Sequence, residues 1–257
     1  MKQNRRIRYT IWGILIICPW ILTSCDMFHE DLPECRLFVK FKYDYNMLFT
    51  DAFHTQVDKV ELYVFDKDGK FLFSQVEEGE ALATGNYQME VKLPIGEYQF
   101  LAWAGARDSY DIYTPRGENT ITDMRLRLKR EESLIISKEL EPLWYGYISD
   151  VDFTGTSHQT ETIDLIKDTN KIRFVFQGYS DSYIRATSGD NWNVNMNDYE
   201  YEIIESNGHL AYDNSLLEDD VLSFRPYYME QKSSSADMYL LLKTVVVRSR
   251  KTTLMSM

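Results

Sequence analysis

The sequence predicts an all-β fold, organised as two tandem β-sandwich domains over residues 37–155 and 156–257. Three observations carry this. Apolar residues recur with a period of two along most of the chain, long helical periodicity is scarce, and Asp-Gly, Asn-Gly and Pro-containing turns separate the alternating runs at short intervals. A 14% aromatic content supplies large side chains for the cores of such sheets.

The first strand is Leu37-Phe38-Val39-Lys40-Phe41-Lys42-Tyr43, where residues 37, 39, 41 and 43 share one face and both lysines take the other. Val60, Leu62 and Val64 repeat the pattern. Asp66-Lys67-Asp68-Gly69-Lys70 then turns the chain into Phe71-Leu72-Phe73, a hairpin whose glycine can adopt the positive φ that the turn requires. Asp66 and Asp68 would also suit a calcium loop, but the later ligands and the bidentate glutamate are absent. Met89, Val91 and Leu93 alternate again, and Pro94-Ile95-Gly96 ends that run. Residues 98–104 are nearly all apolar, as expected of a central strand buried on both faces. Met124, Leu126 and Leu128 alternate with Arg125, Arg127 and Lys129, which places the basic residues on a solvated face.

Leu143-Trp144-Tyr145-Gly146-Tyr147 reads as an aromatic strand, followed by a polar linker over 150–159. The strand pattern restarts over 162–165 and 171–176, with Ile172, Phe174 and Phe176 on one face. Tyr199, Tyr201 and Ile203 alternate with Glu200 and Glu202, and Asn207-Gly208 reads as a second hairpin turn leading to Leu210 and Tyr212. Leu222, Phe224 and the residues up to Tyr228 form the last clear pattern before the C-terminal segment.

The N-terminus carries an address. Lys2, Arg5, Arg6 and Arg8 precede an apolar run over residues 10–22, too short to span a bilayer as a helix, and Leu22-Thr23-Ser24-Cys25 follows. This is the order of a secretory signal, residues 1–24, and its end resembles the lipobox of bacterial lipoproteins. The resemblance implies that Cys25 becomes the acylated first residue of the mature chain, with residues 25–36 as a tether. Two or more acyl chains hold a protein stably on a membrane, each buried CH₂ contributing about 0.8 kcal/mol. An ordinary cleaved signal or an N-terminal anchor helix is the competing reading. Asp26, Glu30 and Asp31 after the cysteine fit either inner-membrane retention or surface display, according to the sorting system.

Removing the signal takes away four of the 28 basic residues and none of the 40 acidic ones, which leaves a formal charge of −16. Such a surface repels nucleic acid and anionic headgroups, so a nucleic-acid partner is not expected. Cys18 lies in the signal, Cys25 is the lipid candidate, and Cys35 remains as a lone thiol near the tether, without a disulfide framework or a Cys-x-x-Cys motif. His29, His54, His158 and His209 fall in loops or turn-rich stretches, outside any metal or nucleophile motif. Acid pairs such as Glu77/Glu78, Glu131/Glu132 and Asp219/Asp220 are adjacent in sequence and do not converge by spacing. No enzyme, metal, cofactor or small-molecule substrate is therefore expected. Trp103 and Trp144 sit inside apolar strands and read as core, whereas Trp192, in a polar stretch, is the better candidate for a sugar-stacking surface.

The blocks Phe41-Lys42-Tyr43-Asp44-Tyr45-Asn46-Met47, Val60-Glu61-Leu62-Tyr63-Val64-Phe65-Asp66 and Gly96-Glu97-Tyr98-Gln99-Phe100-Leu101-Ala102-Trp103-Ala104-Gly105 resemble the FimB/Mfa2 family of Bacteroidota fimbrial lipoproteins. Leu143-Trp144-Tyr145-Gly146 and Ile163-Asp164-Leu165-Ile166-Lys167-Asp168-Thr169-Asn170-Lys171-Ile172 match it in the same order. The resemblance runs from the lipobox to about residue 230. It implies tandem transthyretin-like sandwiches and a lipid-anchored, surface-exposed protein of the outer membrane that tethers a short fimbria, with a fimbrillin stalk subunit as partner. Sheet physics supplies a route for such assembly, the addition of a neighbour's strand to an open edge. A surface glycan-binding lipoprotein of a nutrient-uptake system is the alternative, since it would share the lipobox, the acidity and the sandwiches.

The sequence departs from the family at its end. Residues 238–257 contain four basic residues and no acidic one, with Tyr239-Leu240-Leu241-Leu242 and Val245-Val246-Val247 apolar on both faces. Two expectations stand: a second sandwich cut short of strands, with an exposed edge, or a buried last strand followed by a basic tail.

Overall fold

The computed structural model describes residues 34–179, 200–233 and 237–247. The predicted signal segment, Cys25, Trp192 and Tyr199 lie outside them. The described body begins at Arg36. Strands in the body are β1 (Leu37–Lys42), β2 (Lys59–Asp66), β3 (Phe71–Glu78), β4 (Met89–Val91), β5 (Gly96–Ala104), β6 (Tyr110–Tyr113), β7 (Arg125–Leu128), β8 (Ile135–Ile136) and β9 (Trp144–Phe153). They continue with β10 (Gln159–Asp164), β11 (Ile166–Lys167), β12 (Thr169–Tyr179), β13 (Ile203–Glu205), β14 (His209–Ala211), β15 (Leu222–Phe224), β16 (Tyr228–Ser233) and β17 (Asp237–Val247). One four-residue helix, α1 (Phe53–Gln56), and two 3-10 turns are the only helical elements among the described residues, and no described helix is long and apolar enough to cross a membrane.

A five-stranded sheet in the order β11-β9-β5-β2-β3 organises the body. Its strands alternate as the sequence predicts, but both of its faces are covered. Val60, Leu62, Val64, Phe100, Ala102, Val151 and Phe153 point to one side and pack with Leu37, Val39 and Phe41 of a three-stranded sheet, β10-β1-β4. Tyr63, Phe65, Leu101, Trp103 and Tyr145 point to the other side. There they meet Leu126 and Leu128 of β7, Ile136 of β8, and Ile203, Leu210, Leu222 and Phe224 from later in the chain. The all-apolar run over 98–104 is thus a central strand buried on both faces. Trp103 and Trp144 are core residues, each 1% exposed.

The hairpin at Asp66–Lys70 forms as expected: Gly69 takes φ +79, its N–H donates to the Asp66 carbonyl at 3.0 Å, and the Asp66 carboxylate accepts from the N–H groups of Asp68 and Lys70. Two expectations need correction. The linker predicted over 150–159 is shorter, because β9 runs on to Phe153 with Val151 and Phe153 turned into the core. Asn207-Gly208 is not a hairpin turn. β13 pairs with β15 and β14 pairs with β7, so the chain passes between two sheets at this point. Gly208 is needed for closeness rather than for turning: a Cβ there would lie 2.8 Å from Leu222 and 2.9 Å from the Asp219 carboxylate.

Residues beyond 155 add strands to sheets begun before it. β10 lies parallel to β1 over its whole length, from Leu37↔Gln159 to Lys42↔Asp164, and β15 lies parallel to β8. A parallel neighbour requires a long crossover, here all the chain between β1 and β10. The apolar C-terminal run forms β17, the middle strand of the sheet β12-β17-β16, paired with β12 from Thr169↔Val247 to Tyr179↔Asp237.

Candidate functional site

Among the described residues no group of three His, Cys, Asp or Glu side chains could hold a metal ion. The described histidines are occupied separately and not all in loops. His54 belongs to α1, the His158 ring stacks on Phe38 with centroids 4.6 Å apart, and the Nδ1 of His209, in β14, lies 3.3 Å from the Glu218 carbonyl. Cys35 is exposed.

Two of the three acid pairs have structural partners. Glu77 accepts a hydrogen bond from the Tyr87 hydroxyl at 3.3 Å, and Glu78 pairs with Arg107 at 3.2 Å. Asp219 and Asp220 do converge, but on arginines: Arg127 reaches Asp220 at 3.3 Å, and Arg130 holds Asp219 with both guanidinium nitrogens. Sequence spacing could not find this, since the partners stand 89 residues apart. A polar cleft of about 540 Å³ is lined by Lys59, Glu61, Glu78, Arg107 and Asp108, and Arg107 already spans Asp58 and Glu78 inside it. The same sheet region buries its phenols. Burial, reinforced by nearby carboxylates, pushes the Tyr63 and Tyr110 hydroxyls far above their ordinary range, which keeps them neutral.

What the body offers instead is surface. β3 is an edge strand of the described five-stranded sheet, with Leu72 and Val76 on its outer side at 43% and 48% exposure. Arg36, where the chain enters the body, leads directly into β1. At the far end of β1 the loop 44–51 carries Tyr45, Met47, Leu48 and Phe49 into solvent. Composition hides this feature, because four exposed apolar residues beside an alternating strand read as its continuation. The loop instead leaves the sheet and returns to it: the Ala52 N–H donates to the Tyr43 carbonyl at 2.8 Å, and the Asp51 carboxylate accepts from the N–H groups of Tyr43 and Phe53, each at 3.0 Å.

Comparison with known proteins gives this surface a context. Residues 32–256 match the family described as fimbrillin-A associated anchor proteins Mfa1 and Mfa2. The chain is similar to the minor fimbrium anchoring subunit Mfa2 of Porphyromonas gingivalis, 23% identical over 228 residues that cover 85% of this chain and 68% of that one. A crystal structure from Bacteroides thetaiotaomicron, provisionally described as a polysaccharide-binding protein, is 64% identical with a TM-score of 0.75, covering 85% of this chain and 74% of that one. The crystal structure of the fimbrial anchor protein Mfa2 from Porphyromonas gingivalis shares the fold, with a TM-score of 0.64 at 18% identity over 84% of this chain and 74% of that one.

Proposed function

The chain belongs to the family of fimbrillin-A associated anchor proteins, structural rather than enzymatic, and on that premise we propose that it is the outer-membrane base of a fimbria. In this reading Cys25 is acylated and holds the chain in the membrane, residues 25–36 form the tether, and the body starting at Arg36 carries a fimbrillin stalk subunit at the cell surface. The observation that carries it is the family match over 32–256, which begins just after a lipobox-like Leu22-Thr23-Ser24-Cys25 and continues through the whole described body. The finer architecture implied by the resemblance belongs to the same proposal: two tandem transthyretin-like sandwiches divided near residue 155, with β10 returned across the boundary to lie beside β1.

A second reading has one specific support, the 64%-identical relative described as polysaccharide-binding. In that reading the body is a surface glycan receptor. The two separate cleanly in one experiment. Detergent-extracted protein is isolated from fimbriated cells and passed over immobilised fimbrillin and over immobilised polysaccharides. Co-isolation with fimbrillin supports the anchor. Fimbrillin-free protein retained on polysaccharide overturns it.

A further inference from the structure

We propose that the loop 44–51 is a docking knob, which seats in an apolar pocket with a basic rim on the stalk subunit; this rests on the anchor reading above. The loop exposes Tyr45, Met47, Leu48 and Phe49 at 78, 93, 63 and 94%. Four large apolar side chains among five consecutive residues left in water are costly, and such clustering marks an interaction site rather than ordinary surface.

The knob is built, not slack. Asn46 holds it from within: its side-chain amide donates to the carbonyls of Tyr43 at 2.7 Å and Thr50 at 2.8 Å, and its Oδ1 accepts from the Leu48 N–H at 2.8 Å. The N–H of Phe49 reaches back to the Asn46 carbonyl at 3.4 Å. Below it Tyr43 is buried edge-on against Trp144, and Ala52 and Phe53 are buried in the core, so both ends of the loop are fixed. Phe49 itself sits at φ +53, a left-handed conformation that an aromatic residue rarely adopts. Ordering a loop before binding removes an entropic cost from the encounter. A conformation unfavourable to Phe49 and fully solvated at its tip is retained here without any packing gain inside the chain.

Charge decides the occupant. Asp44 and Asp51 flank the apolar residues in sequence, Asp164 also acts on Lys42 at the base of the loop, and the Lys42 ammonium is already paired with Asp44. The full chain carries a net charge of −12. An acidic collar around an apolar tip is repelled by anionic lipid and by a second copy of the same surface, and complements an apolar pocket bordered by Lys or Arg. The outer side of β3 is the weaker candidate, since Leu72 and Val76 are each about half covered. The loop also follows the end of β1 opposite to Arg36.

The test is binding of the full chain to purified fimbrillin from the same bacterium. We compare the parent with Leu48→Ser/Phe49→Ser, with Met47→Ser, and with Leu72→Ser/Val76→Ser on β3. Loop variants should keep the thermal midpoint of the parent and bind at least ~10-fold more weakly, as expected when anchor residues of an interface are truncated. The parent's association rate should fall with added salt, and the β3 variant should bind as the parent does. Unchanged binding by both loop variants overturns the knob and leaves the anchor reading intact, as does loss confined to the β3 variant. Failure of the parent to bind fimbrillin overturns both. Loop-dependent retention on phosphatidylethanolamine vesicles, or loop-dependent dimers in sedimentation, with fimbrillin binding unaffected, assigns the loop to lipid or to self-association and overturns the proposal.

Discussion

Arg130 and Asp219 form a two-pronged ion pair, with nitrogen to oxygen distances of 2.7 and 3.0 Å, and their side chains are 8% and 0% exposed. Arg130 also reaches the Gly208 carbonyl at 3.4 Å, and Gly208 accepts from the Leu128 N–H at 2.7 Å. The pair therefore fixes the segment around 208–220 to the end of β7. Removing Asp219 leaves the buried Arg130 with only the longer contact to the half-exposed Asp220 at 3.5 Å. Asp219→Ala should cost about 3–5 kcal/mol, read as a lower urea midpoint. Asp219→Leu combined with Arg130→Met should cost clearly less than the sum of the two single changes; strict additivity would contradict the pairing.

Gly105 lies where β5 leaves the central sheet. It has φ +72, and a Cβ added there would lie 2.0 Å from the Pro142 carbonyl oxygen and 2.8 Å from the Trp144 ring. Gly105→Ala should destabilise the body by at least ~3 kcal/mol, from backbone strain and overlap together. Gly117, also at positive φ (+67) but with open space around it, isolates the backbone part: Gly117→Ala should cost about 1–2 kcal/mol. Denaturation midpoints of the two variants check this, and equal losses would refute the steric argument.

Alkaline pH should unfold the body cooperatively. Tyr63, Tyr110 and Tyr145 are raised above the ordinary phenol value by burial and by nearby carboxylates. The unfolded chain then loses these protons first. The stability they contribute is complete below pH ~10, the unfolded value, and is lost as pH rises above it towards the folded values. Ultraviolet titration of tyrosinate should show an early phase from exposed phenols and a late phase that coincides with loss of β-sheet circular dichroism. A smooth single titration with the sheet intact would contradict the burial.

On the proposed acylation of Cys25, Cys25→Ala should move the protein from the membrane fraction to the soluble fraction, since acyl chains would supply the membrane affinity. Persistence of the variant in membranes would rule out lipidation at this residue as the anchor.

Local chemistry made much of the fold legible. The alternation at 37, 39, 41 and 43 predicted a one-sided strand, the unbroken apolar run over 98–104 predicted a two-sided one, and Gly69 marked its hairpin. Each of these signals depends on residues within one element. Asn207-Gly208 misled for the same reason: the dipeptide has turn chemistry, but its environment is made by Arg130, Asp219 and Leu222, which no window around it contains. The parallel placement of β10 beside β1, the Arg130–Asp219 pair and the exposed loop are all properties of distant chain segments meeting, or failing to meet. For the candidate site, the lipobox-like Leu22-Thr23-Ser24-Cys25 can be proposed from the sequence because it is a linear signal. The knob cannot, since Met47 or Phe49 looks like core until the structure shows the chain leaving the sheet.

The position of β1 has a mechanical meaning. In the proposed tethering, tension enters the body at Arg36, the residue before a strand bonded on one side to β10 over six register pairs and on the other to β4 over three. Tension along such a strand shears its hydrogen bonds together, instead of peeling them one at a time as it would from a free hairpin end. Leu37, Val39 and Phe41, each no more than 2% exposed, would have to leave the core in the same event. Under the proposed tethering, the first strand is the element that carries the tension drag on a filament would impose.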